Sequence, residues 1–374
     1  MIFARTLTLY VARRFLVSTF TMLLSLTLLV SLFDFIELLR RAATRQDAGF
    51  ALVVSIAGLR LPFMGMQILP FAILLGGIVA FWRLTRSSEL IVARAAGVSA
   101  WGFLMGPVVV ALLFGGLAIT TVSPISSALL SRAERLEATY LRAGGGVTAL
   151  AGGRLWLRQA DTGLVPGGVA IIAGQPTRLL SAGRGLAFTL ENVSVWRLNA
   201  QDQFLARVEA PRATLGPGHW DLSEAVVFGT DRQASPAAAM TLPSELTPDR
   251  IESSFASPDT LSFWALPGFI AVLEQAGFSA LRHRLQFQSL LAVPVLSVAM
   301  ALVAAGFSMR PSRMGGVARM VAAGVAAGFS LFVLDRITAE FGESGALPVW
   351  LAAWAPSIAG LLLALGLLLH LEDG

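Results

Sequence analysis

The sequence predicts an α-helical polytopic membrane protein with six transmembrane helices and a β-rich domain inserted between the third and the fourth. Three observations lead there. Only 14% of the 374 residues are charged and 55% are hydrophobic, whereas a soluble domain carries about 25% charged residues. Six stretches are long enough for a bilayer core, which needs about 20 mostly apolar residues per helix, and each contains at most one charge. Between the third and fourth stretches the periodicity changes to short, strand-like runs.

The spans follow in order. Phe15–Phe33 is the first; it continues into Asp34-Phe35-Ile36-Glu37 with no small-residue cleavage site, so the first helix is expected to remain uncleaved. Leu61–Trp82 is the second, extended backwards to about Ala51, with Arg60 near its end. The charge-free run Ala95–Ser131 holds the third, expected over Ala100–Val122. Leu285–Met309, Val317–Leu334 (interrupted by Arg319) and Leu347–Leu371 complete the set. This divides the chain into residues 1–131, 132–284 and 285–374.

Arginine placement sets the expected topology, because positive loops stay on the cytoplasmic side. Arg5, Arg13 and Arg14, then Arg83, Arg86 and Arg94, then Arg310, Arg313 and Arg319 fall on one side if the N-terminus is cytoplasmic. Both termini are then inside and the central domain outside. The central region 132–284 has 14 Arg and 14 acidic residues, so the remaining 14 Arg and 9 acids carry the whole net charge of +5. The basic excess belongs to the membrane part.

In the central region, Leu186, Phe188 and Leu190 alternate with small or polar residues, as do Phe204, Ala206 and Val208. Trp220, Leu222 and Ala225–Phe228 follow a Gly216-Pro217-Gly218 turn, and Leu129–Leu141 and Pro267–Leu281 read as helical flanks. Such a domain suits sugar binding, a protease accessory or conduction of an apolar ligand. Its polar residues form no catalytic set: His219 beside Trp220 reads as a turn residue, and Asp221 and Glu224 as solvated groups.

Composition excludes several chemistries. Cysteine is absent, which removes disulfides, thiol nucleophiles and cysteine-ligated metals. Lysine is absent too, so all 28 basic residues are arginine and a Walker-type ATP site has no lysine. With 3 His, a histidine metal centre is not expected, and no cofactor motif or nucleic-acid-binding pattern is present.

Two polar segments stand out. Arg83–Gly97 contains Ser87 or Ser88 as an N-cap, Glu89 in a first turn and Gly97 as a stop, which predicts a short surface helix over about 84–97. It is either a plain connector or a docking helix for a cytoplasmic partner. Arg40, Arg41 and Arg45, with Arg60, lie at the outer ends of spans one and two, against the charge rule. Glu37 and Asp47 could neutralise them; alternatively they form an outward ring of guanidinium groups for phosphates. Gly102/Gly106 and Gly324/Gly328 have the spacing for close helix approach, and Gly76-Gly77 and Gly115-Gly116 add notches. Asp34 and Asp335-Arg336 sit at span ends, where pairing or water access makes them affordable.

The layout of three spans, a β-domain and three spans resembles the LptF/LptG permeases of the lipopolysaccharide export ABC transporter. The most specific segments are Ile68-Leu69-Pro70-Phe71-Ala72-Ile73-Leu74-Leu75-Gly76, Arg86-Ser87-Ser88-Glu89-Leu90-Ile91-Val92 and Ala96-Gly97. Leu296-Ser297-Val298-Ala299, Leu334-Asp335-Arg336-Ile337 and Leu347-Pro348 resemble the LptG branch. The resemblance implies a permease, not an enzyme: it implies a periplasmic β-jellyroll-like domain, location in the bacterial inner membrane and lipopolysaccharide as substrate. It further implies a heterodimer with an LptF-like permease, a cytoplasmic LptB-like ATPase dimer, and an LptC-like periplasmic bridge with a single membrane helix. By resemblance Arg40 and Arg41 match a basic pair that faces lipid phosphates and Glu89 the acidic position that meets the ATPase; Arg45 and Arg60 are further candidate phosphate contacts, and Arg86, Ser88, Leu90 and Arg94 further candidate coupling residues. Asp34 stands where a family member can carry a basic residue. A permease for lipoproteins or another outer-leaflet lipid is the alternative, along with a lipid-acting membrane enzyme or a scaffold.

Overall fold

The computed structural model describes residues 2–43, 49–87, 89, 100–141, 148–151, 154–161, 168–180, 186–199, 201, 203–229, 233–244, 246, 251, 257–275, 279–308 and 317–372. The chain divides into two compact units. One comprises Met1–Arg142, Pro258–Pro267 and Leu281–Gly374, the other Ala143–Ser257 and Gly268–Ala280. Among the described residues, six helices are long and apolar enough to cross a membrane. The β-rich region is inserted between the third and fourth of these, as the hydropathy pattern predicts.

In the first unit, α1 (Ile2–Ala42) runs beside α2 (Phe50–Arg86). The third span is α3 (Ala100–Leu117), a π-helical segment (Ala118–Val122) and α4 (Ser123–Tyr140) in one uninterrupted helical run. The sequence predicts this span to end at Val122, with a separate flanking helix from Leu129. The join is explained by Pro124, which has no N–H for the carbonyl of Thr120 four residues earlier. The helix widens there into a π turn instead of stopping. The freed Thr120 carbonyl accepts the indole N–H of Trp264 at 3.3 Å, and the N–H of Phe263 donates to Ser123 Oγ at 3.1 Å.

The fourth to sixth spans are α6 (Leu281–Ser308), α7 (Val317–Glu343) and α8 (Val349–Glu372). A continuous apolar core joins Phe15 of α1, Ile73, Leu74, Ile78 and Phe81 of α2, and Val303, Ala304 and Ala305 of α6. In lipid such packing rests on close contact between helices, because transfer from water no longer drives it. The glycines supply that contact within the chain. A Cβ on Gly76 would lie 2.5 Å from Thr19 Cα of α1, one on Gly106 2.6 Å from the Thr8 carbonyl, and one on Gly324 2.8 Å from Ile78.

The second unit is a seven-stranded antiparallel sheet with its strands in sequence order. They are β1 (Thr148–Ala151), β2 (Arg154–Ala160), β3 (Val169–Leu180), β4 (Leu186–Leu198), β5 (Phe204–Gly216), β6 (His219–Phe228) and β7 (Ala234–Pro243). Strand alternation puts Leu155, Leu157, Ile172, Leu190, Val208, Trp220 and Leu222 into a common core. That core is joined by Phe269, Ile270 and Leu273 from α5 (Leu266–Gln275). The other side of the sheet shows Trp156 stacked on Trp196 at 5.5 Å and the Arg207 guanidinium over the Trp196 ring.

Candidate functional site

The arginines singled out at the outer ends of spans one and two come together in the first unit, but with acidic partners. Asp34, Glu37 and Arg41 lie at i, i+3 and i+7 on α1, so they share one face, with Arg40 beside them. Glu37 receives Arg40 through two bonds of 2.9 Å, from Nε to Oε2 and from Nη2 to Oε1. Arg41 Nε donates to Glu37 Oε1 at 2.9 Å, and Arg41 Nη1 reaches Glu137 Oε1 of α4 at 3.3 Å. Arg60 of α2 donates through Nη1 to Asp34 Oδ1 at 2.9 Å and through Nη2 to Glu137 Oε2.

Burial ranks these groups. The Glu137 side chain is 2% exposed and that of Arg60 18%, whereas Arg41 is 51% and Arg40 77% exposed. Beside the cluster, Leu38, Val53, Ile56 and Ala133 form a local apolar core. A carboxylate held among such residues is affordable only when paired. Three guanidinium groups thus meet three carboxylates: Arg60 holds three helices together, and Arg40 and Arg41 extend outward from a neutral base. Glu37 is the neutralising residue the sequence offers, and Asp34 finds its partner in Arg60. Arg45 and Asp47 lie outside the described residues. Sequence reasoning missed Glu137, and its one available signal was an acidic residue on the helical flank 129–141.

At the other end of α2 lies the segment expected to form a surface helix over about 84–97, of which residues 88 and 90–99 lie outside the described residues. Residues 84–86 are the last turn of α2 and Ser87 is its C-cap, while Glu89 is again helical. The Ser87 N–H donates to the Arg83 carbonyl at 3.0 Å and its hydroxyl to Glu89 Oε1 at 2.8 Å. The helix runs on to Arg86 because residues 78–86 contain neither Gly nor Pro, while Arg83 and Arg86 place positive charge where the helix dipole favours it. The Arg86 guanidinium lies over the Trp82 ring at 5.6 Å. Thr85 Oγ1 donates to the Ser308 carbonyl of α6 at 3.1 Å, which ties the ends of two spans together. Ser88, Leu90 and Arg94 lie outside the described residues.

Among the described residues no group of His, Asp and Glu has the arrangement of a metal site. His219 opens β6 directly after the turn, with Nδ1 3.1 Å from the Pro217 carbonyl and Nε2 3.2 Å from Asp221, both side chains well exposed.

Paired cations at one end of α1 and α2 and a capped, basic terminus at the other fit a membrane component that meets an anionic amphiphile. The family model described as lipopolysaccharide export system permease LptF/LptG matches residues 9–370. The chain belongs to the LptF/LptG family. It is 26% identical over 368 residues to the lipopolysaccharide export system permease protein LptG of Escherichia coli strain K12, covering 94% of this chain and 95% of that protein. The LptG of Haemophilus influenzae is 22% identical over 376 residues, covering 98% and 99%. The match runs through both units, so six spans and an inserted β-sheet are this family's architecture. Within it, Arg40, Arg41 and Arg60 fall on the α1–α2–α4 junction, and Arg86 and Glu89 at the end of α2.

Proposed function

We propose that this LptF/LptG chain is the LptG-type subunit of an ABC transporter that lifts lipopolysaccharide from the outer leaflet of the inner membrane. In this reading both termini are cytoplasmic and the β-sheet unit is periplasmic, as the arginine distribution favours. A second, LptF-like permease completes the cavity. An LptB-like ATPase dimer supplies the work at the segment after α2, and an LptC-like bridge receives the lipid from the β-unit.

The observation that carries the reading is the graded arginine cluster. Arg60 is consumed by Asp34 and Glu137, while Arg40 and Arg41 stand exposed on the last turn of α1. Guanidinium groups held this way meet phosphate oxygens with directional, charge-assisted bonds. Absence of lysine from the chain supports an energy source on another polypeptide. Arg45, Ser88, Leu90 and Arg94 belong to the same proposal as further phosphate and ATPase contacts.

The test is ATP-dependent release of labelled lipopolysaccharide from proteoliposomes holding the chain with its co-purifying subunits. Arg40→Glu with Arg41→Glu should lower lipid crosslinking to α1, and Glu89→Arg should uncouple release by weakening ATPase docking. Full lipid crosslinking in the first variant, or normal assembly and release in the second, would refute the assigned roles.

A further inference from the structure

The far end of the α1–α2 pair holds a second cluster of arginines with a different setting. A groove of about 850 Å³ opens there, within the range of roughly 300–1,000 Å³ common for small-molecule sites. Arg13 and Arg14 of α1 and Arg83 of α2 stand at its mouth. Among the described residues no carboxylate lies within ion-pair distance of any of the three. Glu89 also lines the groove, but its carboxylate accepts the Ser87 hydroxyl. Arg14 is held in place by Tyr10: its Nε donates to the phenol oxygen at 3.2 Å and its guanidinium lies over the ring at 5.3 Å.

The groove continues inward along the helices. From Tyr10 to Ser25 its α1 wall covers about 22 Å at the rise of an α-helix. Val17, Met22, Val79 and Ala80 make that inner part apolar, with the hydroxyls of Ser18, Thr21 and Ser25 set among them. Thr21 bonds its own helix, at 2.8 Å to the Val17 carbonyl, and so presents its methyl rather than a free donor. A soluble anion would fill the mouth and leave the apolar part empty. An uncharged lipid would fill the apolar part and leave three cations unmatched.

We propose that this groove binds an anionic phospholipid, with its phosphate at Arg13, Arg14 and Arg83 and one acyl chain along Val17, Met22 and Val79. Charge complementarity at the mouth and the depth of the apolar part together specify that class. The lipopolysaccharide reading concerns the other end of α1, so the two sites are separate. Only the leaflet, the cytoplasmic one, rests on the orientation proposed above. The phospholipid anchors the N-terminal half of α1 to α2 beside the segment proposed to meet the ATPase.

The experiment uses the complete chain with its co-purifying subunits in phosphatidylcholine nanodiscs. These carry a photoactivatable acyl chain on either phosphatidylglycerol or phosphatidylcholine, and adducts are mapped by mass spectrometry. Adducts from phosphatidylglycerol are expected on residues 17–25 of α1 and 79–84 of α2. Arg13→Gln with Arg83→Gln should reduce them by about fivefold for each arginine removed, as for basic residues at an anionic surface. Arg13→Lys with Arg83→Lys should restore most of the yield, because charge rather than folding is then what was lost. Equal labelling by the phosphatidylcholine probe, unchanged yield in the glutamine variant, or crosslinking of the groove to a partner polypeptide instead of lipid would overturn the proposal. Failure of lipopolysaccharide release with these adducts intact would sink the transport reading and leave this one standing.

Discussion

The two ends of the α1–α2 pair carry the same residue type in opposite states. At the end that holds the C-terminus of α1, Arg40, Arg41 and Arg60 are matched by Asp34, Glu37 and Glu137. At the opposite end Arg13, Arg14 and Arg83 line an open groove without a carboxylate at ion-pair distance among the described residues. Burial explains the contrast. Arg60 sits at 18% exposure beside a 2% exposed glutamate, where an unmatched charge is prohibitive. Arg13, Arg14 and Arg83 are exposed. An arginine count by itself therefore says nothing of what is free for a ligand.

Removing one partner at the buried end should break the comparison most sharply. Glu137→Gln leaves Arg60 and Arg41 without their shared acceptor, and the loss should be about 3–5 kcal/mol, read as a fall in melting temperature of the purified protein. Adding Arg60→Gln together with Asp34→Asn, which leaves neither of Arg60's partners as an unmatched charge, should recover most of that loss. Recovery that fails would mean that Glu137 acts through some other contact.

Both clusters depend on the separation of α1 and α2. Gly76→Val would push a side chain into the Thr19 backbone, and overpacking of this kind should cost about 1–3 kcal/mol. Accessibility of cysteines introduced at Ser25 and Arg40 should rise together if one helix contact sets both ends; a change at only one end would separate them.

Asp259 is an intermediate case, outside the spans. Burial pushes its carboxyl above the usual carboxylate range, opposed by nearby Arg282. It accepts a bond from Gln286 Nε2 at 3.0 Å. Because its folded pKa is raised, the folded state gains most from this group at low pH and loses that gain as pH rises from the ordinary aspartate value through the raised one. Asp259→Asn removes the ionised form, so it should raise the melting temperature slightly at neutral pH. The difference should vanish below about pH 4. A gain that persists in acid would show that packing, not ionisation, is responsible.

Arg40→Ala should be the mildest change to the fold. The side chain is 77% exposed and, among the described residues, its ion-pair partner is Glu37, which keeps Arg41. No measurable shift in melting temperature is expected, while lipid crosslinking to α1 should fall. A clear loss of stability would make Arg40 a structural residue like Arg60.

Much of the architecture was legible along the chain. Apolar length marked the six spans, and alternation at Phe188 and Leu190 or Trp220 and Leu222 marked strands whose inward residues are indeed buried. The Gly324/Gly328 spacing marked a close helix contact, found against Ile78 and Leu74 of α2. Boundaries were less legible. The third span does not stop at Val122, because Trp264 takes up the carbonyl that Pro124 leaves open. Arg83–Arg86 read as the start of the loop and belong to α2, whose C-cap is Ser87, because nothing in residues 78–86 breaks a helix.

The sequence by itself determined the number of spans and the inserted β-region, because these follow from local composition. The state of each charge was decided by tertiary structure alone. Glu137 lies 77 residues from Arg60 and 96 from Arg41 along the chain, and no local pattern connects them. Burial and pairing are properties of three helices meeting in space, so only the fold could separate the buried, paired Arg60 from the exposed Arg40 and Arg41.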